Sequence, residues 1–168
     1  KKNIVKWQNK NDYAVFPSKQ RIFKKWAKEI DSKALYFEEK PINSLISETS
    51  FFAAMSAAKI IGLSEEEIIE RFKSFKGEPH RLEFVKKIRG VFFINDSAST
   101  NPGSTIFALQ KSAGYFKIPY SKIILIAGGM DKNFQYKKLA RETEGVKKFI
   151  LLPGSASVKI ENELKQRK

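Results

Sequence analysis

Three short stretches of this 168-residue chain hold the residue types that could do chemistry. "NDSASTNP" (95–102) is dense in Ser, Thr and Asn and carries one acid, Asp96. "GGMDKN" (128–133) places an acid and a base, Asp131 and Lys132, directly after two glycines. "PGSAS" (153–157) is small and polar. Each follows an apolar run and precedes a helical pattern. In open α/β sheets, ligands sit beyond the carboxyl ends of the strands, where helix N-termini offer free N–H groups and the positive end of a dipole. One such loop alone reads as an ordinary capped turn. Three together, with the added charge at Asp131-Lys132, point to an anionic ligand.

Other catalytic schemes fail on residue type. His80 is the only histidine and there is no cysteine, so a two-histidine metal site and thiolate chemistry are excluded. No G-x-S-x-G elbow precedes a serine, and no G-x-x-x-x-G-K-[ST] forms a P-loop. The net charge is +14, but the lysines are scattered as pairs such as Lys24-Lys25, Lys86-Lys87 and Lys147-Lys148. That pattern reads as a solvated surface, and no nucleic-acid partner is expected.

The elements that must position these loops follow from periodicity. "DYAVF" and "KALYF" read as strands. "SKQRIFKKWAKEI" reads as a helix capped by Ser18. The Ala-rich "SETSFFAAMSAAKIIG" is a helix ending at Gly62, with Phe51, Phe52, Met55, Ile60 and Ile61 in its core face. "SEEEIIERFKSF" carries a capping box, Ser64 with Glu67. "KGEPHRLE" breaks the pattern and is the expected boundary, dividing the chain into 1–78 and 79–168. Beyond it, "EFVKKI" and "GVFFIND" read as a hairpin turning at Arg89-Gly90. "KIILIAGG" and "KKFILL" read as strands buried on both faces, each followed by a helix. The alternation predicts an α/β chain with a Rossmann-like, doubly wound, mostly parallel sheet in its second part. Hydrophobic residues are 42% of the chain, enough for a core, and no apolar run reaches the roughly eighteen residues of a membrane span. The first residue is Lys, without a signal-peptide pattern, so a fragment or a processed product is expected.

"GEPHRLEFV", "INDSASTNPGST" and "ILIAGGMDKNFQYKKLA" resemble, in order and spacing, motifs of the Mur ligases, and most closely those of the D-glutamate-adding branch. The family pattern is P-H-R-x-E, then N-D-S-K-A-T-N, then G-G-x-D-K-G-x-D-F. The resemblance implies that 1–78 is the tail of a truncated P-loop-type central ATP-binding domain and 79–168 most of the C-terminal domain. It implies part of a cytoplasmic, monomeric enzyme of peptidoglycan precursor synthesis. ATP would phosphorylate the carboxylate of UDP-N-acetylmuramoyl-L-alanine, and D-glutamate would attack the acyl phosphate through a tetrahedral intermediate. ATP and Mg2+ are the implied cofactors, with the main metal ligands upstream of Lys1. Arg81 and Asp96 would hold the nucleotide, Asp96 at the ribose. Ser97, Thr100, Asn101 and Lys132 would hold substrate, with Lys132 facing a carboxylate.

The chain departs from the pattern in places. Ala98 stands where the family has lysine, and Asn133 where it has glycine. The family's H-N-x-x-N falls at Ile46, Ser47 and Ser50, leaving the two serines as weak candidates for ATP contacts. Without a P-loop, this stretch alone is expected to be inactive. Two other readings stay open: a degraded relative that binds nucleotide or polyanion without ligation, and a Mur-type ligase for another amino acid.

Overall fold

A computed structural model describes residue 3 and residues 5–166. The chain divides into two compact units, Lys1–Lys76 and Gly77–Lys168.

In the first unit, β1 (Tyr13–Pro17) and β2 (Lys33–Phe37) pair in parallel, in register from Tyr13↔Lys33 to Pro17↔Phe37. The connecting helix α1 (Arg21–Ala27) packs Phe23 and Trp26 on the cluster of Val5, Ala14 and Phe16, with the Phe16 and Phe23 rings stacked at 5.1 Å. Its N-cap is Gln20, which makes no side-chain cap bond. Ser18, the residue expected to cap it, instead sends its backbone N–H to the Phe37 carbonyl, extending the β1–β2 pairing. Helix α2 (Glu48–Ile60) lies against β1 and β2. It ends in a Schellman motif, with Gly62 N–H on the Lys59 carbonyl and Leu63 N–H on that of Ala58. Helix α3 (Glu65–Ser74) starts with both bonds of the Ser64–Glu67 capping box, and its Phe72 ring meets Phe51 at 4.3 Å. Ile61, expected in the core, is 78% exposed, because it sits at the C-cap where the chain turns away.

In the second unit, β3 (Glu83–Ile88) and β4 (Val91–Asn95) form the expected antiparallel hairpin, with a register shift between Phe84 and Lys86. Arg89 and Gly90 both take positive φ, as a two-residue hairpin turn requires. Helix α4 (Pro102–Phe116) returns to this hairpin through Phe116, whose ring lies 4.5 Å from that of Phe92 and 5.9 Å from that of Phe84. Strands β5 (Ile124–Gly128) and β6 (Lys148–Leu152) pair in parallel, with α5 (Lys137–Glu142) between them in sequence and α6 (Ser155–Lys165) after them.

The α/β class is as the sequence predicts, with parallel strands joined by helices. The strand burial is not. Leu125, Phe149 and Leu151 are partly buried, whereas Ile124 and Ile126 are 51% and 58% exposed and Ile150 and Leu152 are exposed beside them. Helices cover one face of the β5–β6 pair, through a core of Ile106, Leu139, Ala156 and Ile160 against Phe149 and Leu151. Among the described residues each hydrogen-bonded sheet has two strands, and the face of β5–β6 away from the helices carries the exposed Ile124, Ile126 and Ile150. Also among them, no helix is long and apolar enough to cross a membrane.

Two glycines set how closely β5 and β6 can end. A Cβ at Gly128 would lie 2.5 Å from the Leu152 carbonyl oxygen and from Ser157 Oγ, and one at Gly154 would overlap the Gly129 carbonyl. Both residues also take φ near +150°, a conformation L side chains rarely adopt. Gly154→Ala is therefore expected to cost more than about 2 kcal/mol of stability, the range of a backbone clash in a packed site. Ser64→Ala should cost only about 1 kcal/mol, the usual value of an N-cap. Urea unfolding of the two variants measures both.

Candidate functional site

The three polar loops of the second unit each open a helix over one shared core. Ile106 lies in the second turn of α4, Tyr136 just before α5 and Ala156 at the start of α6, and all three belong to a single buried cluster. That cluster holds the loop ends on one side of the unit.

The first loop is stitched to the segment before β3. The Ala98 N–H donates to the His80 carbonyl (3.0 Å), and the Leu82 N–H to Asp96 Oδ1 (2.9 Å). Asp96 Oδ2 accepts from Ser99 Oγ, and the Asp96 carbonyl accepts from the Ser99 N–H at 2.8 Å. The Asn95 amide donates to His80 Nδ1 (2.9 Å) and to Glu83 Oε2 (3.2 Å). His80 and Leu82 both have positive φ, which bends the chain sharply enough to bring these groups together. Asp96 is thus partly engaged in holding its own loop, each carboxylate oxygen keeping one further lone pair for an outside donor. The Arg81 side chain, flanked by these two bends, is exposed and takes no partner among the described residues.

Asn101 is the N-cap of α4. Its Oδ1 accepts from the Ser104 N–H (2.9 Å) and its Nδ2 donates to Ser104 Oγ (2.8 Å), so both ends of the amide serve the helix. Ser97 and Thr100 are exposed, with the Ser97 N–H on Asn95 Oδ1 (3.1 Å). In the other unit, Ser47 caps α2. Its hydroxyl accepts from the Ser50 N–H (3.0 Å) and donates to Ser50 Oγ (2.7 Å). The serine pair replaces the family's asparagine pattern with a self-satisfied cap.

The second and third loops cross. The Gly129 carbonyl accepts from the Ala156 N–H (2.9 Å), and the Asp131 N–H donates to Ser155 Oγ (2.9 Å). Asp131 turns its side chain inward, leaving it 11% exposed. Oδ2 is ion-paired with Lys159, and Oδ1 accepts from the Tyr136 hydroxyl (2.9 Å) and the Phe134 N–H (3.2 Å). Lys132 is exposed and points no charge at any described partner. An open groove of about 260 Å³, lined by Asn133, Phe134, Tyr136, Lys159 and Asn162 among others, runs on the Lys159 side of this turn. Among the described residues, no three His, Cys, Asp or Glu side chains gather as a metal site.

The pairing explains two proton affinities. The Lys159 ammonium holds the Asp131 carboxyl below its usual range, with burial acting the other way and the Tyr136 hydroxyl and Phe134 N–H assisting. Burial, then the hydrogen bond and the charge of Asp131, push the Tyr136 phenol up to about 12. Lys159 and Tyr136 were not foreseen as part of the site. Tyr136 stands five residues from Asp131, but the Lys159 pairing spans 28 residues and leaves no local pattern.

Parallel strands joined through helices, with crossed, glycine-dependent loops at their carboxyl ends, define a Rossmann-like α/β unit. Residues 80–167 match the family described as "Mur ligase, glutamate ligase domain", and the chain belongs to the Mur ligase family. It is 36% identical to a UDP-N-acetylmuramoylalanine--D-glutamate ligase of Borreliella afzelii (strain PKo), over 79% of this chain and 30% of that protein. It is 33% identical to the enzyme of that name in Clostridium tetani (strain Massachusetts / E88), over 99% of this chain and 40% of that protein. Against that of Streptococcus suis (strain 98HAH33) the identity is 42%, over 62% and 22%. The chain therefore spans less than half the length of the curated relatives it matches.

Two outcomes follow from the geometry. The stabilisation from Asp131 is complete above the unfolded carboxyl pKa of about 4 and is lost as pH falls through its lowered folded value. Acid unfolding of Asp131→Asn should accordingly be shallower than that of the unsubstituted protein below about pH 4. Tyr136 behaves oppositely. Its contribution is present below about pH 10 and is lost as pH rises through about 12. Phenolate absorbance should show one tyrosine ionising near pH 12, and in Asp131→Asn that titration should move toward 10.

Proposed function

We propose that this chain is part of an ATP-dependent ligase that joins D-glutamate to UDP-N-acetylmuramoyl-L-alanine in peptidoglycan precursor synthesis, in the cytoplasm. The observation that carries the reading is the second loop. It presents a cation, Lys132, that has no partner among the described residues, beside a carboxylate whose charge is already matched by Lys159. Such an arrangement suits an acidic amino acid, whose carboxylate would meet the free ammonium. The match to a glutamate ligase domain and the names of the relatives support the same substrate.

In this reading the reaction proceeds through an acyl phosphate on the acceptor's carboxylate. The amine of D-glutamate attacks that carbonyl, and phosphate leaves from the tetrahedral intermediate. Within this chain, the exposed Arg81 guanidinium suits the anionic nucleotide, and the free lone pairs of Asp96 suit ribose hydroxyl donors. Among the described residues no three His, Asp or Glu side chains gather, and magnesium would take its ligands from the nucleotide phosphates and from elsewhere in the protein. Thr100 and Ser97 offer hydroxyls to substrate, and Asn101 acts by fixing the start of α4.

The test is D-glutamate-dependent release of ADP by the intact protein in the presence of ATP and the acceptor. Release with D-glutamate and not with other amino acids is expected. Release driven by a different amino acid would move the substrate assignment, and ATP binding without release would favour the degraded, non-ligating reading. Lys132→Ala should raise the KM for D-glutamate by roughly tenfold or more, the effect of losing one charge-assisted hydrogen bond.

A further inference from the structure

We propose that Asp131 is a positioning residue, which sets the direction of Lys132 by closing a four-residue turn around it and anchoring that turn to α6. The inference rests on the reading of Lys132 as the cation that meets the amino-acid substrate, and goes beyond it in naming what holds that cation in place.

The geometry is specific. Asp131 lies immediately before Lys132, and its Oδ1 accepts the N–H of Phe134, two residues after Lys132 (3.2 Å). The bond closes the backbone around Lys132, with Asn133 at φ +61° completing the bend. The same oxygen accepts the Tyr136 hydroxyl at 2.9 Å, and Tyr136 is buried in the core cluster beneath the loop. The other oxygen is paired with Lys159, one helical turn into α6. On the opposite side, the Asp131 N–H is held by Ser155 Oγ at the start of that helix. One carboxylate thus connects the turn to itself, to the core and to a second helix. The residues on either side of Lys132 are fixed, and among the described residues its own side chain has no partner.

The arrangement has two consequences. The backbone entropy of ordering a loop around a ligand is spent in folding, so it is not subtracted from binding. The charge of Lys159 is also used internally, which leaves Lys132 as the unpaired lysine of the two. A carboxylate ligand would otherwise have two nearby ammonium groups to choose between, and its orientation would be less defined.

Asp131→Asn and Lys159→Met in the intact protein test the proposal by two independent readouts. The first is amide hydrogen exchange across Met130–Phe134. Exchange there should rise by roughly tenfold in both variants, the factor for losing one charge-assisted bond, while α4 and α6 exchange as before. The second is kinetic. The KM for the amino acid used by the unsubstituted enzyme should rise by roughly tenfold, with kcat changed by less than about threefold, because the interaction lost is one of binding. The double variant should be no worse than the poorer single one, as expected for two members of one linked pair. Unchanged exchange in the loop overturns the proposal whatever the kinetics. So does a rise in exchange accompanied by an unaltered KM, or by a fall in kcat as large as the rise in KM, which would make Asp131 merely structural. Absence of any amino-acid-dependent turnover in the unsubstituted protein would instead overturn the ligase reading, with the exchange experiment still deciding whether Asp131 orders the turn.

Discussion

The second unit depends on a place where two backbones touch. Gly154 passes so close to the Gly129 carbonyl that a Cβ on Gly154 would have no room. This contact lets the Ala156 N–H reach that carbonyl and Ser155 Oγ reach the Asp131 N–H. It also starts α6 directly beneath the "GGMDKN" turn, so that one helical turn later Lys159 meets Asp131. The ion pair, the buried Tyr136 hydroxyl and the free position of Lys132 all follow from the loops being able to cross.

Much of this architecture can be read in the residues, because the signals are local. The capping box at Ser64–Glu67, the C-terminal glycine at Gly62, the hairpin turn at Arg89-Gly90 and Pro102 in the first turn of α4 each fix backbone geometry within a few positions. Other features depend on distant partners. Ser18 reads as a cap, yet its N–H is taken by Phe37, nineteen positions on in the neighbouring strand's end. The runs "KIILI" and "KFILL" read as doubly buried, because an apolar stretch alone does not show how many layers cover it. Here helices lie on one side and Ile124, Ile126 and Ile150 remain exposed on the other.

The same division applies to the site. Asp131 and Lys132 stand out as charges that a bare turn does not need, but the sequence gives them equal weight. The fold separates their roles: the acid is turned inward onto Lys159, and the base is exposed, with no partner among the described residues. Asn101 and Asp96 undergo a similar sorting. Both carry the polar character expected of ligand groups, and both also hold their own loop, Asn101 as a helix cap and Asp96 through Leu82 and Ser99. Ala98, where the family pattern has a lysine, uses its backbone N–H to tie the loop to His80. That tie needs no side chain, so the loop keeps its place without the cation.

The central claim is that a pre-set turn aims Lys132 at the carboxylate of an acidic amino acid. Solution NMR of the intact protein with isotope-labelled lysine side chains tests it most directly, as D-glutamate is added in the presence of ATP. The account predicts that the Lys132 resonance shifts and saturates with D-glutamate while that of Lys159, held on Asp131, stays in place. A saturating shift at Lys159 with Lys132 unmoved would contradict it.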